Sequence, residues 1–386
     1  MSTLSRALID LNALQQNIIY LKQHASTAKV WAVVKANAYG HSVELCVKSL
    51  LNHADGFAVA HWEEALEIQH ILETQSLSSF PPILLLEGIN SDNHYRQLKH
   101  VPSARLVIHS ISQIKSLISL APKIPIYIWL KFDSGMHRLG LNEKELIEIL
   151  NQLNSYDHIS VEGILSHFAC AEEPQHDLTQ QQLKAVNHLK TIVQPKNPLM
   201  QWSLCNSAGI IHQLSKSALN QTQDLTASSE WIRPGIALYG SFPIDKAGTM
   251  LKPVMSFTTK ILSTKKLSVG DTVGYGATFT ASSNMSIAIL GVGYADGYPR
   301  ILSNQGEVWC QGYKLPVVGR ISMDLTCVAL PNLNILGPDY FTAGNEVELW
   351  GKNINVDEVA LVAKTISYEL LTGVGSRVPR IKNNIS

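Results

Sequence analysis

The first 240 positions alternate between two hydrophobic textures. Short apolar runs, many of them β-branched, occupy residues 30–34, 57–60, 83–86, 105–109, 126–131, 160–166, 199–204 and 232–239. Between them lie stretches whose apolar positions recur at helical spacing, such as 42–51, 62–72, 143–153 and 178–193. Strands separated by helices are parallel βαβ units, since a parallel connection needs a crossover and a helix supplies it. Eight such strands in about 210 residues predict a closed (β/α)8 TIM barrel of the α/β class. An open doubly wound sheet is the alternative, but no GxGxxG turn follows the first strand to support it.

After Ser241 the texture changes. Residues 256–265, 285–291, 306–310, 314–318, 326–330 and 346–349 are short apolar segments, many bounded by Gly, Asn or Asp. This pattern predicts a mainly antiparallel β domain, with a helix over 356–371 near its end. The expected division is therefore 1–240 for the barrel and 241–386 for the β domain. The turn-forming cluster at 240–246 between them is too short to be a tether, which implies a fixed relation between the two.

Composition narrows the function classes. Thirty-one lysines and arginines balance 31 aspartates and glutamates, so no net field draws the chain to nucleic acid or an anionic membrane. No apolar window approaches the length needed to span a bilayer, and residues 1–17 lack the pattern of a secretory signal. The five cysteines are widely spaced and include no CxxC pair, as expected of reduced thiols in the cytoplasm. The 14 histidines show no HxH, HxxxH or HExxH spacing, so no metal is expected.

Chemistry collects where the strands end. Lys35 follows the first strand, Arg138 the fifth, His167 the sixth and Asn206–Ser207 the seventh, while Arg233 and Gly235 lie in the eighth. Barrel active sites form at the C-terminal ends of the strands, with phosphates often held at loops seven and eight. Lys35 directly follows four apolar residues, where burial lowers an amine's pKa. A neutral amine can condense with an aldehyde. An isolated lysine at a strand end is ordinarily a surface residue, so the surrounding string has to decide.

That string, Lys35-Ala36-Asn37-Ala38-Tyr39-Gly40-His41, resembles the cofactor-lysine motif of alanine racemases. Residues 131–140 (KFDSGMHRLG), 206–209 (NSAG), 233–240 (RPGIALYG), 274–278 (GYGAT), 293–297 (GYADG), 319–324 (GRISMD) and 377–380 (RVPR) match the family's other motifs in order. The resemblance implies pyridoxal 5'-phosphate as cofactor, carried covalently by Lys35, and alanine as substrate. It implies Lys35 as the base on the D face of the substrate. Tyr275 of a partner subunit is the implied base on the L face, which makes the active unit a homodimer. His167 would lie against the Tyr275 hydroxyl and Arg233 against the cofactor's ring nitrogen. Tyr39, Asn206, Ser207, Gly235, Ile236 and Tyr368 complete the implied cofactor contacts. Arg138 and the Met323 backbone would take the substrate carboxylate, with Arg138 oriented by Lys131, a lysine carbamylated in many members. Tyr294 and Asp324, with Met323, would narrow the way in.

Phe279 stands where the family often has tyrosine, and Cys170 where a hydroxyl residue is common; neither carries the implied chemistry. Two rivals keep parts of the pattern. A basic-amino-acid decarboxylase shares the domain plan and cofactor but fits GYGAT and GRISMD poorly. A non-catalytic cofactor carrier needs the lysine string but not Tyr275.

Overall fold

Eight parallel strands close on themselves as the alternation predicts. In this computed structural model, which describes residues 4–25, 28–121, 124–217, 231–242, 250–337 and 339–383, the chain begins with β1 (Arg6–Ile9). The barrel strands follow: β2 (Lys29–Val33), β3 (Gly56–Val59), β4 (Ile83–Leu85), β5 (Ala104–Ile108), β6 (Ile126–Lys131), β7 (Ile159–Leu165), β8 (Gln201–Asn206) and β9 (Trp231–Arg233). They pair in that order, and β9 returns to β2 with Lys29 opposite Trp231. The crossover helices start where capping residues stand. Asp10 accepts from the Ala13 N–H ahead of helix Leu11–His24, and Asn142 and Glu145 form a reciprocal capping box on Glu143–Leu153.

Tryptophans fill the barrel's lower lumen. Trp31 stacks on Trp231 with ring centroids 4.2 Å apart and meets Trp129 edge-on at 6.0 Å. Gly56 and Gly163 make room for them, since a Cβ there would fall 2.3 Å from the Trp31 ring and 2.5 Å from the Trp129 ring. With the floor packed, the open end of the barrel is the one where the strands' C-termini lie, which is where barrel active sites form.

The second layer is β10 (Met255–Leu267), β11 (Thr272–Val273), β12 (Phe279–Thr280), β13 (Met285–Leu290), β14 (Glu307–Cys310), β15 (Tyr313–Pro316), β16 (Thr326–Ala329), β17 (Glu346–Trp350) and β18 (Arg380–Lys382). One sheet runs β15-β14-β17-β10-β1-β18, and β13 and β16 continue from β10. All its pairings are antiparallel except β1 with β18. Thus β1, ahead of the barrel in sequence, is paired into the second sheet. Buried apolar residues of barrel and sheet form one continuous core. Asn17 ties the two together by donating to the Leu238 and Lys252 carbonyls.

Two element boundaries differ from expectation. The last barrel strand stops at Arg233 and residues Ile236–Tyr239 form a 3-10 turn, because Pro234 has no N–H to continue the ladder. The expected helix over 356–371 is two helices, Val356–Val362 and Ser367–Thr372, interrupted where Lys364 takes a left-handed φ of 54°. Of the turn cluster at 240–246, residues 243–246 lie outside the described residues.

Candidate active site

Lys35 opens an unusual turn at the end of β2. Ala36, Asn37, Ala38 and Tyr39 all have φ between 52° and 54°, and Gly40 has φ 81°. Left-handed backbone costs an L-residue about 1–2 kcal/mol, so four in a row need outside support. Glu64 accepts from the Ala36 N–H at 2.6 Å, Asn37 Oδ1 from Val43 N at 2.7 Å, and Arg380 Nε donates to the Gly40 carbonyl at 2.9 Å. His41 Nδ1 donates to the Ala38 and Tyr39 carbonyls. Concentrated strain of this kind is characteristic of functional sites.

A hydroxyl-lined cradle faces that turn. The Ser207 Oγ, at the start of helix Ser207–Ser217, accepts from the Gly235 N–H at 2.9 Å and the Ala237 N–H at 3.2 Å. Helix capping falls to Asn206 instead, whose Oδ1 accepts from Gly209 N at 2.9 Å. Gly235 is needed where it stands: a Cβ would lie 2.5 Å from the Tyr39 hydroxyl. Ile236 follows directly, at the head of the 3-10 turn, where helical N–H groups are not used internally. The Tyr39 and Tyr368 rings are 6.0 Å apart. Burial, with Tyr368 adding to it, pushes the Tyr39 hydroxyl above its ordinary range. Burial, then Glu172 and Asp357, pushes Tyr368 up to about 12. Both hydroxyls are therefore protonated donors. Donors from Tyr39, Ser207, Ile236 and Tyr368 suit a phosphate dianion, and Lys35 opens the same turn that carries Tyr39. The residues present fit a phosphorylated aldehyde.

Cations crowd the rest of the mouth. Arg233 is 5% exposed and forms no ion pair with a described carboxylate. Its Nη1 donates to the Ser203 carbonyl and hydroxyl, both at 2.6 Å, and its Nη2 to the Ser166 carbonyl at 2.5 Å. An ordinary strand arginine would pair with a carboxylate at the surface; this one is fixed by neutral acceptors from β8 and from the end of β7. Lys131, the last residue of β6, is pushed down to about 8 by burial and by the charges of Arg233, Arg138 and Lys35, against the pull of Glu87. Arg138 is exposed and points from a loop ordered by Asp133, whose Oδ1 accepts from the Gly135 and His137 N–H groups. Burial opposes ionisation of Asp133, but these N–H donors outweigh it and hold the carboxyl below its usual range.

His167 is pushed down to about 3 by burial and then by Arg233, Arg138, Lys131 and Lys35. His41, fully buried, goes down to about 4, chiefly through burial. Both are neutral in the fold and titrate near 6.5 when unfolded, so below pH 6.5 the unfolded chain binds more protons. Stability is thus expected to be full above pH 6.5 and to fall as pH drops from 6.5 towards 4. Thermal unfolding across that range checks this; a Tm unchanged between pH 7 and 5 would contradict it.

The β domain supplies the remaining candidates at its surface. Tyr275 is 71% exposed, in a turn with Gly274 at φ 70° and Gly276 at φ 72°. A Cβ on Gly276 would lie 2.8 Å from Arg320 Nη1, so this turn packs on the loop leading to Met323. Tyr294 N donates to the Ser322 carbonyl at 3.1 Å and Ala295 N to the Met323 carbonyl at 3.0 Å. Tyr275, Tyr294, Met323 and Asp324 therefore occupy one contiguous exposed surface. Met323 is 53% exposed, which excludes core packing as its role. Within one chain, no hydrogen bond or ion pair between described residues joins this surface to Lys35. Phe279 instead packs on the small cluster of Val273, Ile287 and Val318. Sequence reasoning missed Glu64, Ser203 and Ser166. Glu64 had a signal, three residues after the helix-capping His61, whereas the serine acceptors had none.

Comparison with known proteins shows the family. Residues 9–243 match the family described as alanine racemase, N-terminal domain, and 254–382 the alanine racemase C-terminal domain. The biosynthetic alanine racemase of Pseudomonas aeruginosa is 39% identical over 377 residues, covering 97% of this chain and 98% of that protein. The alanine racemase of Hahella chejuensis is 36% identical over 392 residues, covering 99% and 98%. The crystal structure of the Pseudomonas aeruginosa enzyme superposes with a TM-score of 0.86 at 37% identity, covering 99% of this chain and 100% of that one. That of Bartonella henselae alanine racemase, with covalently bound pyridoxal phosphate, gives 0.83 at 32% identity and the same coverage. Barrel, site and matches together define an amino-acid racemase, an isomerase built as a parallel barrel followed by a β domain. The chain belongs to the alanine racemase family.

Proposed function

We propose that this chain interconverts L- and D-alanine with pyridoxal 5'-phosphate, by two bases contributed by different subunits of a homodimer. The observation that carries the reading is the convergence of Lys35, Lys131, Arg138, His167 and Arg233 on one barrel mouth, beside the hydroxyl cradle at Tyr39 and Ser207. Pyridoxal phosphate bound there supplies an aldehyde for the Lys35 amine and a ring that draws electrons from the substrate's α-carbon. Tyr39, Ser207, Ile236 and Tyr368 hold its phosphate, with Gly235 leaving room for the Tyr39 hydroxyl and Asn206 fixing the helix start beneath. Arg233 sits at the ring nitrogen as a permanent cation that disfavours a second positive charge. Arg138 and the Met323 N–H orient the substrate carboxylate. The Lys131 amine, pushed down to about 8, can in its neutral form take up CO2 as a carbamate, releasing one proton; a bicarbonate-dependent mass gain of one CO2 checks this, and an unmodified Lys131 under those conditions would contradict it.

Lys35 Nζ holds and moves the α-proton on the D face, and the partner subunit's Tyr275 Oη does so on the L face. A phenol titrating near 10 is a poor base at neutrality. The four cations that depress His167 also favour a phenolate beside them, and a neutral imidazole can accept the hydroxyl's hydrogen bond. Tyr294 and Asp324 narrow the opening. The shared site matches a division at 240/241, with residues 241–386 lending Tyr275 to the partner's barrel. Cytoplasmic D-alanine supply for peptidoglycan, or L-alanine catabolism, is the corresponding role.

Mixing inactive Lys35→Ala and Tyr275→Phe proteins tests the shared site. Under proven subunit exchange, hybrids contain one intact site and activity returns; no recovery contradicts the reading. CO2 release without racemisation would instead indicate a decarboxylase.

A further inference from the structure

The motif at residues 377–380 has no part in the chemistry above, yet its two arginines hold different segments of the molecule. Arg380, on β18, spends all its directions on carbonyls. Nη2 donates to Val374 at 2.6 Å, Nη1 to Gly375 at 2.7 Å and Val378 at 2.8 Å, and Nε to Gly40 at 2.9 Å. Three of these acceptors belong to residues 374–378, the strap that leads into β18. The fourth ends the strained turn that begins at Lys35, 340 residues away in sequence. Gly40 admits no side chain, because a Cβ would fall 2.2 Å from the Leu371 carbonyl oxygen. A planar guanidinium can hold the strap and Gly40 in one fixed relation, which the single rotating ammonium of lysine cannot.

Arg377 faces the other way. Its Nε donates to Asp296 Oδ1 at 2.8 Å and its Nη2 to Asp324 Oδ1 at 2.6 Å. Asp296 is buried, and its second oxygen accepts from the Gly293 N–H at 2.9 Å. Its carbonyl accepts from Gly375 N at 2.9 Å. Asp296 and Asp324 belong to the two loops that carry Tyr294 and Met323, already joined by backbone bonds and pressed together at Gly293. One guanidinium thus fixes both loops against the strap.

We propose that residues 377–380 position two active sites at once: Arg380 sets the Lys35 turn of its own subunit's site, and Arg377 sets the Tyr294 and Met323 loops that this subunit lends to its partner's site. Both are positioning residues, acting through backbone and loops. The proposal rests on the shared-site reading above.

The two roles separate by which subunit they damage. In Arg380→Met holoenzyme, pyridoxal phosphate retention on dialysis is expected to weaken about ten- to hundredfold, the usual cost of a lost hydrogen bond from a charged group. Arg380→Lys recovers only part of it. In Arg377→Met, retention is unchanged while KM for alanine rises about tenfold or more by the same reasoning. Each variant is then mixed with Lys35→Ala protein. The hybrid with Arg377→Met pairs an undamaged lysine turn with an undamaged β domain and recovers the activity of the Lys35→Ala/Tyr275→Phe control mixture. The hybrid with Arg380→Met stays impaired, because its only lysine lies in the damaged turn. Equal recovery by both variants, or equal cofactor loss in both, overturns the proposal. Should the control mixture fail to recover, the shared-site reading falls and takes the Arg377 assignment with it. The retention difference then decides the Arg380 half alone. If Arg380→Met does not fold, Arg380→Lys replaces it in both measurements, with the same outcomes deciding.

Discussion

Lys35→Ala is expected to lose alanine racemisation by about 10⁴-fold or more. A positioned general base is typically worth about 10²–10⁴-fold, and this substitution also removes the only amine at the start of the left-handed turn. Among the described residues, the other cations of the mouth are poor substitutes. Lys131, pushed down to about 8, lies at the end of β6, across the barrel from β2, and an arginine guanidinium is not a base near neutral pH. The protein should fold normally, because the Lys35 side chain forms no hydrogen bond or ion pair with a described residue and lies only half-buried. A D-alanine assay together with cofactor absorbance after dialysis checks both halves. Activity within tenfold of the unaltered protein would remove Lys35 from the mechanism.

Tyr275→Phe is expected to cost about 10²–10⁴-fold in racemisation while leaving cofactor retention and Tm nearly unchanged. The hydroxyl forms no hydrogen bond with a described residue of its own chain and the side chain is 71% exposed, so little stability depends on it. The informative readout is directional. With Lys35 still in place, exchange of the α-hydrogen of D-alanine with deuterated solvent should persist, and that of L-alanine should be nearly abolished. Loss to the same extent from both enantiomers would mean that Tyr275 is not the base for one face.

The barrel was legible because its signal is local. Each strand is a run of a few apolar residues, most crossover helices are periodic segments with a capping residue, and their alternation admits few topologies. The candidate site was legible for a related reason, since strand ends converge on one mouth whatever the details of packing. What escaped the sequence depends on distant partners. β1 is four residues whose neighbours, β10 and β18, lie some 250 to 370 positions away. The neutral acceptors of Arg233 are a carbonyl and hydroxyl of Ser203 and a carbonyl of Ser166, groups that every sequence contains. The left-handed run at 36–39 includes no glycine, and the alanines there give no warning of positive φ; contacts from Glu64, Val43 and Arg380 impose it. Pro234 was visible as a strand breaker and should have ended β9 at the residue before it, Arg233, where the structure ends it.

The most direct test of the account is to incubate the purified protein and pyridoxal phosphate with L-alanine in deuterated water, following both enantiomers and the α-hydrogen. The account predicts convergence on equal amounts of L- and D-alanine from either starting enantiomer, with solvent deuterium at the α-carbon of the product. Alanine that keeps its handedness and its α-hydrogen, in the presence of bound cofactor, would contradict it.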